Sequence, residues 1–134
     1  MQTLEKGQVF TLKEKNVTQN MINCYADAAS DHNPLHVDVE FAEKTRYGGT
    51  IAHGMLSLAF VQTLLAEVFA EHWLKSGALD VNFMLPVRPG DTITAEAKIV
   101  KVTPQGANRE VQMHVICLNQ RREKVIMGKA RVVV

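Results

Sequence analysis

Residues 53–73 read HGMLSLAFVQTLLAEVFAEHW, and residues 79–87 shortly after read LDVNFMLPV. In the first stretch Met55, Leu56, Leu58, Ala59, Phe60, Val61, Leu64, Leu65, Val68 and Phe69 leave almost no polar side. A helix that is apolar all round is a buried helix. Gln62, Thr63 and Glu67 make it too polar for a membrane span. In the second stretch the period drops to two, with Leu79, Val81, Phe83, Leu85 and Val87 on one face and Asp80, Asn82 and Met84 on the other. That pattern predicts a strand, closed by the turn Arg88-Pro89-Gly90-Asp91. Further strands are expected near 91–103, 109–119 and 124–134, separated by Pro104-Gln105-Gly106 and the polar run Asn119 to Lys124. One long buried helix followed by four consecutive strands predicts an α+β chain, an antiparallel sheet wrapped around a helix.

Upstream of the helix the signals are shorter. Residues 8–14 alternate weakly and fit a first strand. Thr18 is a natural N-cap, because Met21, Ile22, Tyr25, Ala26 and Ala29 follow at helical spacing, so a helix is expected over about 18–30. Pro34 lacks a backbone donor and pushes Asn33 out of the α region, so Asp31 to His36 is expected to be a loop or tight turn. The run VEFAEKTRYGG then predicts a short helix with Phe41 inward, ending at Gly48 and Gly49.

The 134 residues suit one domain spanning 1–134. Apolar residues at 46% and charged residues at 22% argue for a packed core and against disorder. A net charge of +1 gives no global field for nucleic acid or an anionic membrane, so neither is an expected partner and any anionic ligand must be held locally. Residues 1 to 20 lack the basic-then-apolar layout of a secretory leader, which makes the cytoplasm the expected compartment. Cys24 and Cys117, without CxxC spacing, are expected to be free buried thiols.

Two segments carry chemistry: Asp31-His32-Asn33-Pro34-Leu35-His36 and Ile51-Ala52-His53-Gly54-Met55. In the first, an acid and a base flank a proline-stiffened turn and can face one point with little entropy left to lose. In the second, Gly54 begins the buried helix, where an unpaired backbone donor and the helix dipole can meet a negative oxygen. Those are the parts needed to add water across a double bond conjugated to a carbonyl: a base for the water, an acid for the α carbon, a donor for the enolate oxygen. The competing reading is structural, with Asp31 capping a turn and Gly54 serving as a packing residue. Asp31, His32, His36 and His53 show no recognised ligand spacing, so no metal is expected.

The run Ala29-Ser30-Asp31-His32-Asn33-Pro34-Leu35-His36-Val37-Asp38, with Ile51-Ala52-His53-Gly54-Met55-Leu56 after it, resembles the hydratase motif of the MaoC-like family, which includes the (R)-specific enoyl-CoA hydratases. Phe83-Met84-Leu85-Pro86-Val87 and Gly90-Asp91 fall in the family's order as well. The resemblance implies a hot-dog fold, usually a homodimer or larger, acting on trans-2-enoyl-CoA or the corresponding (R)-3-hydroxyacyl-CoA without a cofactor. It implies that Asp31 and His36 hold and activate one water, that the Gly54 amide polarises the thioester carbonyl, and that Asn33 supports the loop. His53 is read as orienting the helix start through a ring hydrogen bond. Where some relatives have a serine two turns along the central helix, near the substrate, the matching position here is Gln62; Ser57, a turn and a half away, is read as facing elsewhere. Lys44, Arg46 and Arg88 are the basic residues nearest these segments and the candidates for coenzyme A phosphates. The same residues would serve an acyl-carrier-protein dehydratase. A non-catalytic acyl-CoA binding module would not need a positioned acid–base pair, and a thioesterase would share only the fold.

Overall fold

The computed structural model describes residues 3–134. Along the chain the elements are β1 (Val9–Asn16), α1 (Gln19–Ala29), α2 (Pro34–Val37), α3 (Val39–Glu43), α4 (Gly54–Phe69), α5 (Glu71–Ser76), β2 (Ala78–Phe83), β3 (Thr92–Gln105), β4 (Asn108–Leu118) and β5 (Lys124–Val133). The strands form one sheet in the order β1-β3-β4-β5-β2, every neighbouring pair antiparallel. Of the four strands expected to follow one another as a meander after the helix, only β3, β4 and β5 do so; β2 pairs with β5 and not with its chain neighbour β3, so β1 and β2 are the two edges.

The sheet alternates as its sequence does, so Ile93, Ala95, Ala97 and Ile99 of β3, with Val111, Met113, Val115 and Cys117 of β4, point to the core. Against them α4 buries Leu56, Phe60, Val61, Leu64, Leu65 and Phe69. Ala95 and Ala97 are wholly buried and give α4 a low surface on β3, its principal support. Burying a side chain such as Leu65 or Phe69 stabilises by about 1.5–3 kcal/mol. Close approach also governs the edge: a β-carbon on Gly128 of β5 would overlap the carbonyl oxygen of Asp80 on β2.

Several expectations change. The helix foreseen over 53–73 is two helices, broken at Ala70, whose φ of 49° and ψ of −127° suit glycine better than alanine. Such a residue costs about 1–3 kcal/mol. The break lets α5 fold back so that Trp73 is buried and its Nε1–H donates to Gln62 Oε1 at 2.7 Å. The strand expected over 79–87 ends at Phe83, because β5 begins at Lys124 and Pro86 has no amide to offer a ladder. Phe83 and Leu85 are consequently exposed, while of the other residues on their face Leu79 and Val81 pack half-buried against the core and Val87 is buried. Pro104 does not interrupt β3, which runs to Gln105; β1 pairs only as far as Lys98, so the proline faces a free edge. In α3 the inward residue is Ala42, not Phe41, which is half exposed, and the helix stops at Glu43 well before the glycines. Cys117 is buried, whereas Cys24 is exposed.

Candidate active site

α1 ends on Ser30 in the left-handed conformation, with its amide and that of Asp31 closing on the Ala26 carbonyl, Asp31 at 3.0 Å. From there the turn is held by its own side chains: Asp31 Oδ1 accepts from Asn33 N at 3.3 Å, and Asn33 Oδ1 accepts from Leu35 N at 3.0 Å. Asn33 is thereby the N-cap of α2, and Pro34 takes the first helical position, where its missing donor costs nothing. His36 thus sits on a single helical turn, the tighter of the two forms expected for Asp31 to His36. Gln19 of α1 stitches this turn to the next segment, donating to the His36 carbonyl at 2.8 Å and accepting from Thr50 Oγ1 at 2.6 Å.

The histidine geometry fixes which nitrogens are free. His36 Nδ1 lies 2.8 Å from the Ile51 carbonyl oxygen, which can only accept. Nδ1 therefore carries a proton, and in the neutral ring the lone pair is on Nε2. His53 Nε2 lies 2.9 Å from the Asp31 carbonyl oxygen and is protonated by the same reasoning, leaving a buried Nδ1 with no partner. The two rings stack with centroids 3.9 Å apart and planes at 29°. Asp31 is exposed, His36 partly buried and His53 only 3% exposed. One polar atom from each of the three lies within 4.8 Å of the other two. That spacing would admit a cation.

Gly54 is the first residue of α4, and the His53 side chain does not cap it. Its amide is one of the first-turn donors with no acceptor within the helix. A cavity of about 350 Å³ opens beside it, lined among others by Arg46, Tyr47, Ser57, Phe83 and Leu85. The ring of Phe83 stands 3.1 Å from where a Gly54 β-carbon would be.

Not every candidate joins this site. Gln62 is spent on the Trp73 indole at the far part of α4, so its side chain does not stand in for the serine of some relatives. Ser57, set aside from the sequence, is the polar side chain of α4 that lines the cavity, and it is 3% exposed. Its position one turn after Gly54, on the same face, was the available signal. Of the three basic candidates, Arg46 lines the cavity, held 4.9 Å over the Tyr47 ring with a 2.8 Å bond to its hydroxyl. Arg88 packs beside Gly49, and Lys44 is exposed. Tyr25, foreseen only as core, lies with its ring 4.9 Å from His53.

A five-stranded antiparallel sheet curled round a central helix is the hot-dog fold, and here it presents an acid and a histidine beside the start of that helix. Residues 2–120 match the family model described as "MaoC like domain", and the chain belongs to that family. It is 33% identical to an (R)-specific enoyl-CoA hydratase of Rhodospirillum rubrum, over 98% of this chain and 88% of the relative. It is 36% identical to 3-hydroxyacyl-thioester dehydratase Z of Mycobacterium tuberculosis over 67% of this chain and 62% of the relative. Among solved structures it superposes on an (R)-hydratase from A. caviae involved in PHA biosynthesis with a TM-score of 0.83, 28% identity and 98% of each chain covered.

Proposed function

We propose that this chain is a hydro-lyase that adds water to trans-2-enoyl-CoA to give (R)-3-hydroxyacyl-CoA, or runs the reverse dehydration. The observation that carries the reading is the setting of His36: its Nδ1–H is given to Ile51, which leaves Nε2 for a water, and a ring nitrogen lies within 4.8 Å of an Asp31 carboxylate oxygen. A water held between the two loses a proton to the pair as its oxygen bonds to the β carbon. Electron density moves onto the thioester oxygen, which the Gly54 amide receives at the positive end of α4. The pair then returns a proton to the α carbon, so the net change is addition of one water. Asn33 and His53 support the loop, and Arg46 at the cavity wall suits an anionic part of the carrier.

The site is open on one side: Met55, Phe83, Met84 and Leu85 are each exposed by 43% or more, and β2 is a sheet edge. We infer that a second copy covers them, since exposed edges and apolar patches call for a partner.

Loss of enoyl absorbance in the 263 nm region, followed with crotonyl-CoA and with crotonyl carried on an acyl carrier protein, tests the function. Turnover of crotonyl-CoA supports it, and turnover of the carrier-protein substrate alone would move the reading to a 3-hydroxyacyl-[acyl-carrier-protein] dehydratase. Release of free thiol with the double bond intact would indicate a thioesterase and overturn it.

A further inference from the structure

We propose that His53 is a positioning residue that holds Asp31, His36 and the Gly54 amide in one frame; this rests on the hydratase reading above. Three contacts of different kinds converge on it. Its Nε2–H donates to the Asp31 carbonyl at 2.9 Å, which fixes the backbone from which the carboxylate projects. Its ring face lies 3.9 Å from the ring of His36, so it restrains the plane of the imidazole whose Nε2 must meet the water. Its carbonyl accepts from Leu56 N at 3.0 Å and Ser57 N at 3.3 Å, which begins the helix whose first amide is that of Gly54.

Packing alone does not account for this histidine. The ring is 3% exposed and leaves Nδ1 without a partner, a lone pair that an apolar side chain of similar size would not carry. Retaining it makes sense if the ring's other edge and its face are both in use. The stack has a further consequence: when His36 takes the water's proton, the imidazolium lies against an aromatic face, a favourable contact for a cation.

The two uses separate by substitution. His53→Gln keeps an N–H near the position of Nε2 but loses the stacked face; His53→Phe keeps the face and loses the donor; His53→Leu loses both. With crotonyl-CoA we expect kcat to fall about 10-fold in His53→Phe and about 100-fold in His53→Leu, the scale on which a small misplacement acts. KM should stay within about twofold, and His53→Gln should recover most of the loss of the donor. A His53→Leu protein that keeps more than half the wild-type kcat overturns the proposal, as does a parallel loss of kcat and KM in every variant. Should His53→Leu not fold, His53→Phe carries the kinetic test. Nitrogen-15 spectra of the imidazoles give a readout independent of turnover: wild-type His36 is expected as the Nδ1–H tautomer, with ring shifts that move in His53→Phe. If the wild type hydrates no enoyl thioester but those shifts move, the functional reading fails and the coupling stands. His36 shifts unchanged by His53→Phe sink the coupling itself.

Discussion

At the scale of single residues, Asp31 and His36 are brought together by hydrogen bonds that use one Asp31 oxygen and one His36 nitrogen and leave the other of each free. Asp31 Oδ1 accepts from Asn33 N and the Nδ1–H of His36 goes to Ile51, so the second carboxylate oxygen and Nε2 are left for a water. Asp31→Asn and His36→Gln should therefore fold with little change and each lose about 100-fold or more in kcat, the scale of general acid–base groups. Near-wild-type turnover in either variant would remove that residue from the mechanism. Gly54 makes a different demand. The nearest atoms to a β-carbon there are those of the Phe83 ring, at 3.1 Å, and Phe83 is 53% exposed and free to turn aside. Gly54→Val should accordingly stay folded while its side chain and the displaced ring crowd the amide, lowering kcat by roughly the 10²–10³-fold of a lost oxyanion donor. Unfolding on this substitution would mark Gly54 as a packing residue, and a folded, fully active variant would place the donor elsewhere.

At the scale of elements, the sheet edge nearest the site depends on one glycine. β2 pairs with β5 from Ala78↔Arg131 to Phe83↔Ile126, and Gly128 lies opposite Val81 with the Asp80 carbonyl against it. Backbone does not yield as the end of a side chain does, so Gly128→Ala should force β2 outward and destabilise by about 1–3 kcal/mol. Urea denaturation monitored by circular dichroism would measure it, and an unchanged midpoint would show that β2 shifts freely. Since β2 leads directly into Phe83 and the cavity wall, the same variant should alter KM as well as stability.

For the molecule as a whole, two properties follow from burial. The apolar residues around the cavity and the free edge of β2 predict a homodimer in solution, which sedimentation at micromolar concentration would measure; a strictly monomeric mass refutes it. Burial also pushes the Cys117 thiol above its ordinary 9.0, to about 12. Below pH 9 both folded and unfolded chains keep that proton, and the thiol does not make stability depend on pH. Between 9 and 12 the unfolded chain releases it and the folded chain does not, so stability falls as pH rises, by at most about 1.4 kcal/mol per pH unit. Melting curves of the wild type should thus decline more steeply above pH 9 than those of Cys117→Ala. Equal slopes would mean that other groups govern alkaline unfolding.

Much of this was written locally. Helix α1, its Thr18 cap and the meander of β3, β4 and β5 came from periodicity and capping chemistry, which act between residues close in sequence. Asp31 and His36 stand out in the sequence for the same reason, five residues apart on one short segment, and Gly54 stands out on a second. Tertiary structure decided what depends on contacts between distant segments. Ala70 bends the central helix because Trp73 gains burial and a bond to Gln62, and no local breaker announces it. That bond removes Gln62 from the site and leaves Ser57 facing the cavity. The stacking of His53 on His36 joins residues 17 apart whose geometry is set by the Asp31 and Ile51 carbonyls, and no periodicity in the chain encodes that distance.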